Sequence, residues 1–179
     1  MRVVAGRHRG RRLRTPPGQG TRPTADRVRE ALFSILGDVS GQRVLDIFAG
    51  SGALGIEALS RGAGHVTFVE RDHRAADMIR ANLEGLDEDA DVVVRDALAW
   101  LRGAPAGTAY DLILLDPPYD SAGRLAEPLS RDLPGVTAAD GLIVSESDRR
   151  EPLTLDFPLV DERIYGDTRI AIHSASRDQ

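Results

Sequence analysis

The sequence predicts an α/β fold: a doubly wound, mostly parallel sheet that ends in an antiparallel hairpin. Three observations carry this reading. Short apolar runs alternate with amphipathic segments from residue 43 to residue 146. A glycine turn, Gly50-x-Gly52-x-x-Gly55, follows directly on the first apolar run. Near the end, residues 159–165 and 168–173 flank Gly166-Asp167, a two-residue hairpin signal. Alternation of this kind implies a parallel sheet covered by helices on both faces and wound right-handed.

Taken in order, residues 1–5 and 11–14 read as two short strands of a small basic hairpin. Arg7, His8 and Arg9 would sit at its tip, and Arg11, Arg12 and Arg14 along one arm. Pro16-Pro-Gly-Gln-Gly20 breaks the pattern and serves as a linker, which divides the chain into an extension at 1–20 and a main domain at 21–179. A helix follows, with Thr24 as N-cap and Gly37 as its stop. Val28, Leu32, Ile35 and Leu36 form its apolar stripe, and Arg22, Arg27 and Arg29 lie on the opposite face, toward ligand or RNA. Strands are expected at 43–48, 65–70, 91–95, 110–116 and 141–146, with helices at 53–62, 73–86, 97–102 and 122–132. In the second of these helices Ala76, Ile79, Leu83 and Leu86 keep one apolar face.

Composition excludes several chemistries. The 179 residues contain no cysteine, which removes disulfides, thiolate metal sites and a cysteine nucleophile. All 23 basic residues are arginine, so neither a Walker-type phosphate loop nor a Schiff-base lysine is available. The four histidines show no metal-ligand spacing, and no metal site is expected. No run of eighteen apolar residues suggests a membrane span, and cytoplasm is the expected compartment. Charge is unevenly spread. Residues 1–30 hold nine arginines against Asp26 and Glu30, a local +7, so the remainder carries −12 to reach the net −5. A basic arm on an acidic body suits a polyanion that docks at one end.

The glycine turn stands between an apolar strand ending near Asp46 and a helix. Glycine there permits a tight bend and close approach of a ligand to the backbone. Glu70 closes the next strand 20 residues beyond Gly50, near the distance expected of a ribose-binding carboxylate. Together they indicate an adenosine-containing ligand and leave its identity open.

A second motif, Asp116-Pro-Pro-Tyr119, ends the fourth strand. In doubly wound sheets ligands bind beyond the strand carboxyl ends, at the point where the winding reverses. If the first and fourth strands flank that point, the motif faces the adenosine pocket. Neither proline has an N–H, and each drives its predecessor out of helical geometry. The Asp116 carboxylate and the Pro117 carbonyl are therefore fixed acceptors, matched to the two N–H bonds of an exocyclic amine on a nucleobase, with Tyr119 stacked on the base.

The combination resembles the class I S-adenosylmethionine-dependent amino-methyltransferases. With Arg22-Pro-Thr-Ala-Asp-Arg-Val-Arg-Glu30 added, the chain resembles the RsmD family, which methylates N2 of a guanine in bacterial 16S ribosomal RNA. Asp96-Ala97, Val144-Ser-Glu146 and Tyr165-Gly-Asp-Thr168 share in the likeness. It implies a Rossmann-like, seven-stranded methyltransferase domain carrying the basic hairpin as an RNA-binding extension. The implied cofactor is S-adenosyl-L-methionine. Asp46, Phe48, Ala49, Gly50, Ser51 and Gly52 would hold its methionine part, Glu70 its ribose, and Asp96 and Ala97 its adenine. Asp116, Pro117, Pro118 and Tyr119 would carry the catalytic motif, orienting a flipped base for in-line methyl transfer. Well-oriented reactants gain roughly 7–11 kcal/mol from positioning. Arg7, Arg9, Arg11, Arg12 and Arg22 would bind RNA. The partner would be 16S ribosomal RNA, either naked or within an assembling small subunit, and the protein a monomer. A DNA adenine-N6 or cytosine-N4 methyltransferase is the main alternative, since it uses the same D-P-P-Y chemistry. A nicotinamide dehydrogenase fits the glycine turn but leaves residues 116–119 unexplained, and a non-catalytic RNA-binding module would need only the arginines.

Overall fold

The computed structural model describes residues 1–15, 23–105, 107–118 and 121–176. The linker at 16–20, Arg22 and Tyr119 lie outside the described residues. Helix α1 (Pro23–Leu36) precedes strand β1 (Arg43–Ile47), helix α2 (Ala53–Ser60), β2 (His65–Glu70), α3 (His73–Leu86), β3 (Asp91–Val94), α4 (Ala97–Arg102), β4 (Tyr110–Leu115), α5 (Ala122–Asp132), β5 (Thr137–Asp148), β6 (Leu159–Tyr165) and β7 (Thr168–Ser174). The seven strands lie in the order β3-β2-β1-β4-β5-β7-β6. The first five pair in parallel, and β7 runs antiparallel to both β5 and β6. Both the doubly wound sheet and its terminal hairpin are thus present, and Gly166 supplies the turn at φ +64°. The winding reverses between β1 and β4, the neighbouring strands that lead into the glycine turn and the D-P-P-Y motif.

Alternation along the strands sorts the core into two faces. Val44, Val66, Phe68, Leu112 and Leu114 pack with Leu32 and Phe33 of α1, Ile56 of α2 and Ile79 and Leu83 of α3. Leu45, Ile47, Val69, Ile113 and Leu115 face the other way, onto Trp100 of α4 and Leu129 of α5. Gly55 lets α2 sit close on this sheet, because a Cβ there would lie 2.3 Å from Phe68 Cε1.

Several boundaries differ from expectation for identifiable reasons. Helix α1 begins at Pro23, whose missing N–H costs nothing in a first turn, so Thr24 lies inside the helix rather than capping it. Gly37 ends it at φ +73°, its N–H donating to the Phe33 carbonyl at 3.1 Å. Strand β5 starts at Thr137, not 141, and its register shifts against β4 between Tyr110 and Leu112. Gly141 sits in that stretch, with its Cβ position 3.0 Å from the Tyr110 carbonyl. The N-terminal hairpin is short: Arg2 stands opposite Arg12, the Val3 and Leu13 N–H groups donate to the Arg11 and Met1 carbonyls at 2.9 and 3.1 Å, and the Gly10 N–H donates to the Val3 carbonyl at 2.9 Å. Beyond it the N–H groups of Val4 and Ala5 donate to the Glu57 carboxylate, at 2.8 and 2.9 Å.

Candidate active site

At the carboxyl ends of β1, β2, β4 and β5 lies a cavity of about 880 Å³. That volume falls in the range of small-ligand sites. Its lining brings together Asp46, Phe48, Ala49, Gly50, Ser51, Glu70, Asp96, Ala97, Asp116, Pro117 and Pro118, all from the predicted set. Gly52 is not part of the lining. It is buried beneath the loop at φ +75°, where a Cβ would press on Ile79 and Phe68.

The loop is shaped by its own carboxylates. Asp46 Oδ2 accepts the Gly55 N–H at 2.9 Å, which ties the end of β1 to the first turn of α2. Glu70 accepts the Gly50 N–H at 2.9 Å on one oxygen and the Asp72 N–H at 2.8 Å on the other, so it fixes the loop and the entry to α3 together. Each oxygen keeps a second acceptor position. Phe48 holds φ +64°, a left-handed conformation that is a true outlier for a bulky residue and clusters at functional sites. Asp96 caps α4 through the Ala99 N–H at 3.0 Å, leaving its other oxygen open.

Three carboxylates share the floor of the cavity. Burial pushes Asp46 up to about 8, opposed by the Gly55 N–H and reinforced by Glu70. Asp116 opens onto the cavity and is exposed there, yet the surrounding protein raises it well above the usual carboxylate range. The charges of Glu146 and Asp46 raise it further. Glu146, at the end of β5, is raised by burial and pulled back by Arg29. Such a floor disfavours further negative charge and welcomes a cation.

The basic arm is fastened to this site. Glu57 on α2 is fully enclosed and accepts the Val4 and Ala5 N–H groups, with Arg61 Nε at 2.9 Å and Arg29 Nε at 3.4 Å. Gly6, at φ +79°, passes so near Ser60 that a Cβ would lie 1.9 Å from its carbonyl oxygen. Asn82 on α3 accepts the Arg14 N–H at 2.8 Å and donates to the Arg14 and Ser51 carbonyls at 3.1 and 3.4 Å, joining the arm to the glycine loop. Arg29 was expected to face ligand or RNA, and it does line the cavity, but buried: it donates to the Arg2 carbonyl at 2.6 Å and to Asp26 at 2.9 Å, because an arginine in the α1–α2 interface is stable only when paired. Arg7 pairs with Glu88 at 2.7 Å and Arg11 donates to the Gly85 carbonyl at 2.5 Å. Arg9 and Arg12 are exposed, with no acidic partner among the described residues.

The model of the family described as "Conserved hypothetical protein 95" matches residues 1–174. The chain belongs to this family, the RsmD family. It is 41% identical over 180 residues to a Bacillus subtilis protein provisionally named rRNA methyltransferase YlbH, covering 97% of this chain and 98% of that one. It is 41% identical over 151 residues to Ribosomal RNA small subunit methyltransferase D of Escherichia coli K12, covering 83% and 75%. An E. coli structure provisionally titled methyltransferase yhhF superposes with a TM-score of 0.83 at 34% identity, over 99% of each chain. Family membership and fold agree with the Rossmann-like methyltransferase expected from the motifs.

Glu146, Leu98 and Met1 also line the cavity and were assigned no role from sequence. Glu146 was detectable by the rule that marked Asp116, since it too stands near the carboxyl end of a strand beside the switch point. Glu57 had a different signal, an acid set in the apolar helix ALGIEALS.

Proposed function

We propose that this chain methylates N2 of a guanine in 16S ribosomal RNA, with S-adenosyl-L-methionine as donor. The observation that supports it most is that the acceptors Asp116 and Pro117 line the same cavity as the glycine loop, Glu70 and Asp96. The groups present fit the donor. Glu70 keeps acceptor capacity for two ribose hydroxyls, Asp96 has a free oxygen for the adenine amine with Ala97 beside the ring, and the backbone from Phe48 to Ser51 borders the space for the methionine part. Asp46, neutral in its buried state near pH 7, regains its charge beside a cation. When bound, S-adenosyl-L-methionine supplies an electrophilic methyl group on a sulfonium.

The protein's part is orientation. Asp116 and Pro117 accept the two N–H bonds of the guanine amine, which turns the nitrogen lone pair out of the ring plane. Pro118 keeps the segment extended, and Tyr119 stacks on the flipped base. Catalysis then rests on positioning rather than on a strong base, because the neutral amine already holds its lone pair. Residues 1–20 act as the RNA-binding extension of a methyltransferase domain at 21–179, with Arg9 and Arg12 most open to phosphate, Arg7 and Arg11 beside them, and Arg22 added to the set by the family resemblance. The names of the relatives support a ribosomal RNA substrate. No helix among the described residues is long and apolar enough to cross a membrane, and we place the activity in the cytoplasm, on small-subunit RNA or its assembling particle, as a monomer.

Asp116→Ala tests the reading. Labelled methyl transfer to small-subunit RNA should fall by on the order of 100-fold, the scale for removing one preorganised polar group at a reacting centre. A near-wild-type rate would exclude the acceptor role of Asp116.

A further inference from the structure

We infer that Glu146 is the specificity-determining residue of this site, accepting the N1–H of guanine and rejecting adenine and cytosine. The inference rests on the amino-methyltransfer reading above and deepens it. Strands β4 and β5 are in parallel register, with Leu115 opposite Ser145, so the next residues, Asp116 and Glu146, stand side by side at the carboxyl end of the sheet. Both line the cavity. The Glu146 carboxylate is half-buried at the cavity wall and has no hydrogen-bond or ion-pair partner among the described residues. The positive charge felt there comes from Arg29, whose guanidinium is anchored on Asp26 and the Arg2 carbonyl. The negative charge facing it comes from Asp116, on which Asp46 also acts from the other side.

A half-buried carboxylate with no protein donor is free to accept from a ligand, and once the ligand excludes water an unpaired oxygen there costs free energy. The Watson–Crick edge of guanine offers two adjacent donors, the N2 amine and N1–H. With the amine on Asp116 and Pro117, the neighbouring N1–H points to the neighbouring carboxylate. Adenine and cytosine also carry an exocyclic amine, but the ring nitrogen beside it is an acceptor. Seated in the same way, each would set a lone pair against the Glu146 carboxylate and leave both unpaired. Sites built on such hydrogen bonds reject analogues that lack the donor by roughly 10⁴–10⁵-fold. The chemistry that holds an amine is common to all three bases, and Glu146 makes it selective for guanine.

The test uses short small-subunit RNA with either guanine or 2,6-diaminopurine at the target position. Diaminopurine keeps the N2 amine but has an unprotonated N1. The wild-type protein should show a kcat/KM for guanine at least ~100-fold above that for diaminopurine. In Glu146→Gln the amide can turn its NH₂ toward an unprotonated N1, so the ratio should collapse to within about tenfold of unity. Wild-type transfer to both bases at similar kcat/KM would overturn the inference while leaving the methyltransferase reading intact, and this comparison does not depend on the variant folding. A folded Glu146→Gln that keeps the wild-type ratio would also overturn it. Transfer to neither base would overturn the guanine-N2 reading and this inference with it.

Discussion

Glu57→Ala should loosen the basic arm and destabilise the whole chain. The carboxylate is fully enclosed and accepts three hydrogen bonds, from the Val4 and Ala5 N–H groups and Arg61 Nε, while the Arg29 guanidinium lies beside it as an ion pair at 3.4 Å. Removing one partner of a buried pair costs about 3–5 kcal/mol. The lower end applies here, because Arg29 keeps Asp26 and the Arg2 carbonyl while the two arm N–H groups reach water once the arm lifts. A loss of about 3 kcal/mol corresponds to a Tm lower by roughly 6–12 °C for a chain of this size. Urea unfolding measures the loss, and amide exchange at Val4 and Ala5 locates it. Glu57→Gln, which keeps one acceptor, should fall between the two. A loss under ~1 kcal/mol with Val4 and Ala5 exchanging at wild-type rates would refute the reasoning, since it would show that those bonds do not hold the arm.

Gly55→Ala drives a methyl into Phe68 and should cost about 1–3 kcal/mol, with Phe68→Leu restoring part of it; an unchanged unfolding midpoint would deny the tight packing of α2 on β2. Asp46 is raised to about 8 when folded and titrates near 4 when unfolded, so the folded chain holds the extra proton and stability falls as pH rises between those values. The stability of Asp46→Asn relative to wild type should therefore improve from pH 5 to pH 8, and a pH-independent difference would contradict the raised carboxyl. Arg9→Glu with Arg12→Glu should weaken RNA binding and flatten its salt dependence by about one unit of slope per arginine, without lowering Tm; unchanged RNA affinity would make the arm a solvated tail.

Periodicity made the sheet legible. Apolar runs at 43–48 and 110–116 were visible because a parallel strand buries both faces. The reversal between them was only a condition, since alternation does not fix strand order; the observed order supplies it. The glycine turn and D-P-P-Y were visible because glycine and proline constrain the backbone locally. What escaped were contacts made across long separations. Arg29 looks like any exposed helical arginine until Glu57 and the Arg2 carbonyl arrive from elsewhere in the chain. The hairpin arms pair around Arg2 and Arg12, but alternation could not reveal that a helix carboxylate takes the Val4 and Ala5 N–H groups. Gly52 was grouped with the ligand-facing loop by its motif spacing, whereas its own left-handed φ turns it toward Ile79. Glu146 lay in plain view at a strand end, but only its register beside Asp116 gives it meaning.

The central claim is the identity of the base that receives the methyl group. The most direct measurement is incubation of the purified protein with labelled S-adenosyl-L-methionine and unmethylated small-subunit RNA, followed by nucleoside mass spectrometry and mapping of the labelled position. N2-methylguanosine at a single site is the expected product. Label in N6-methyladenosine or N4-methylcytidine of the RNA, or only in DNA supplied in a parallel incubation, would contradict the guanine-N2 activity.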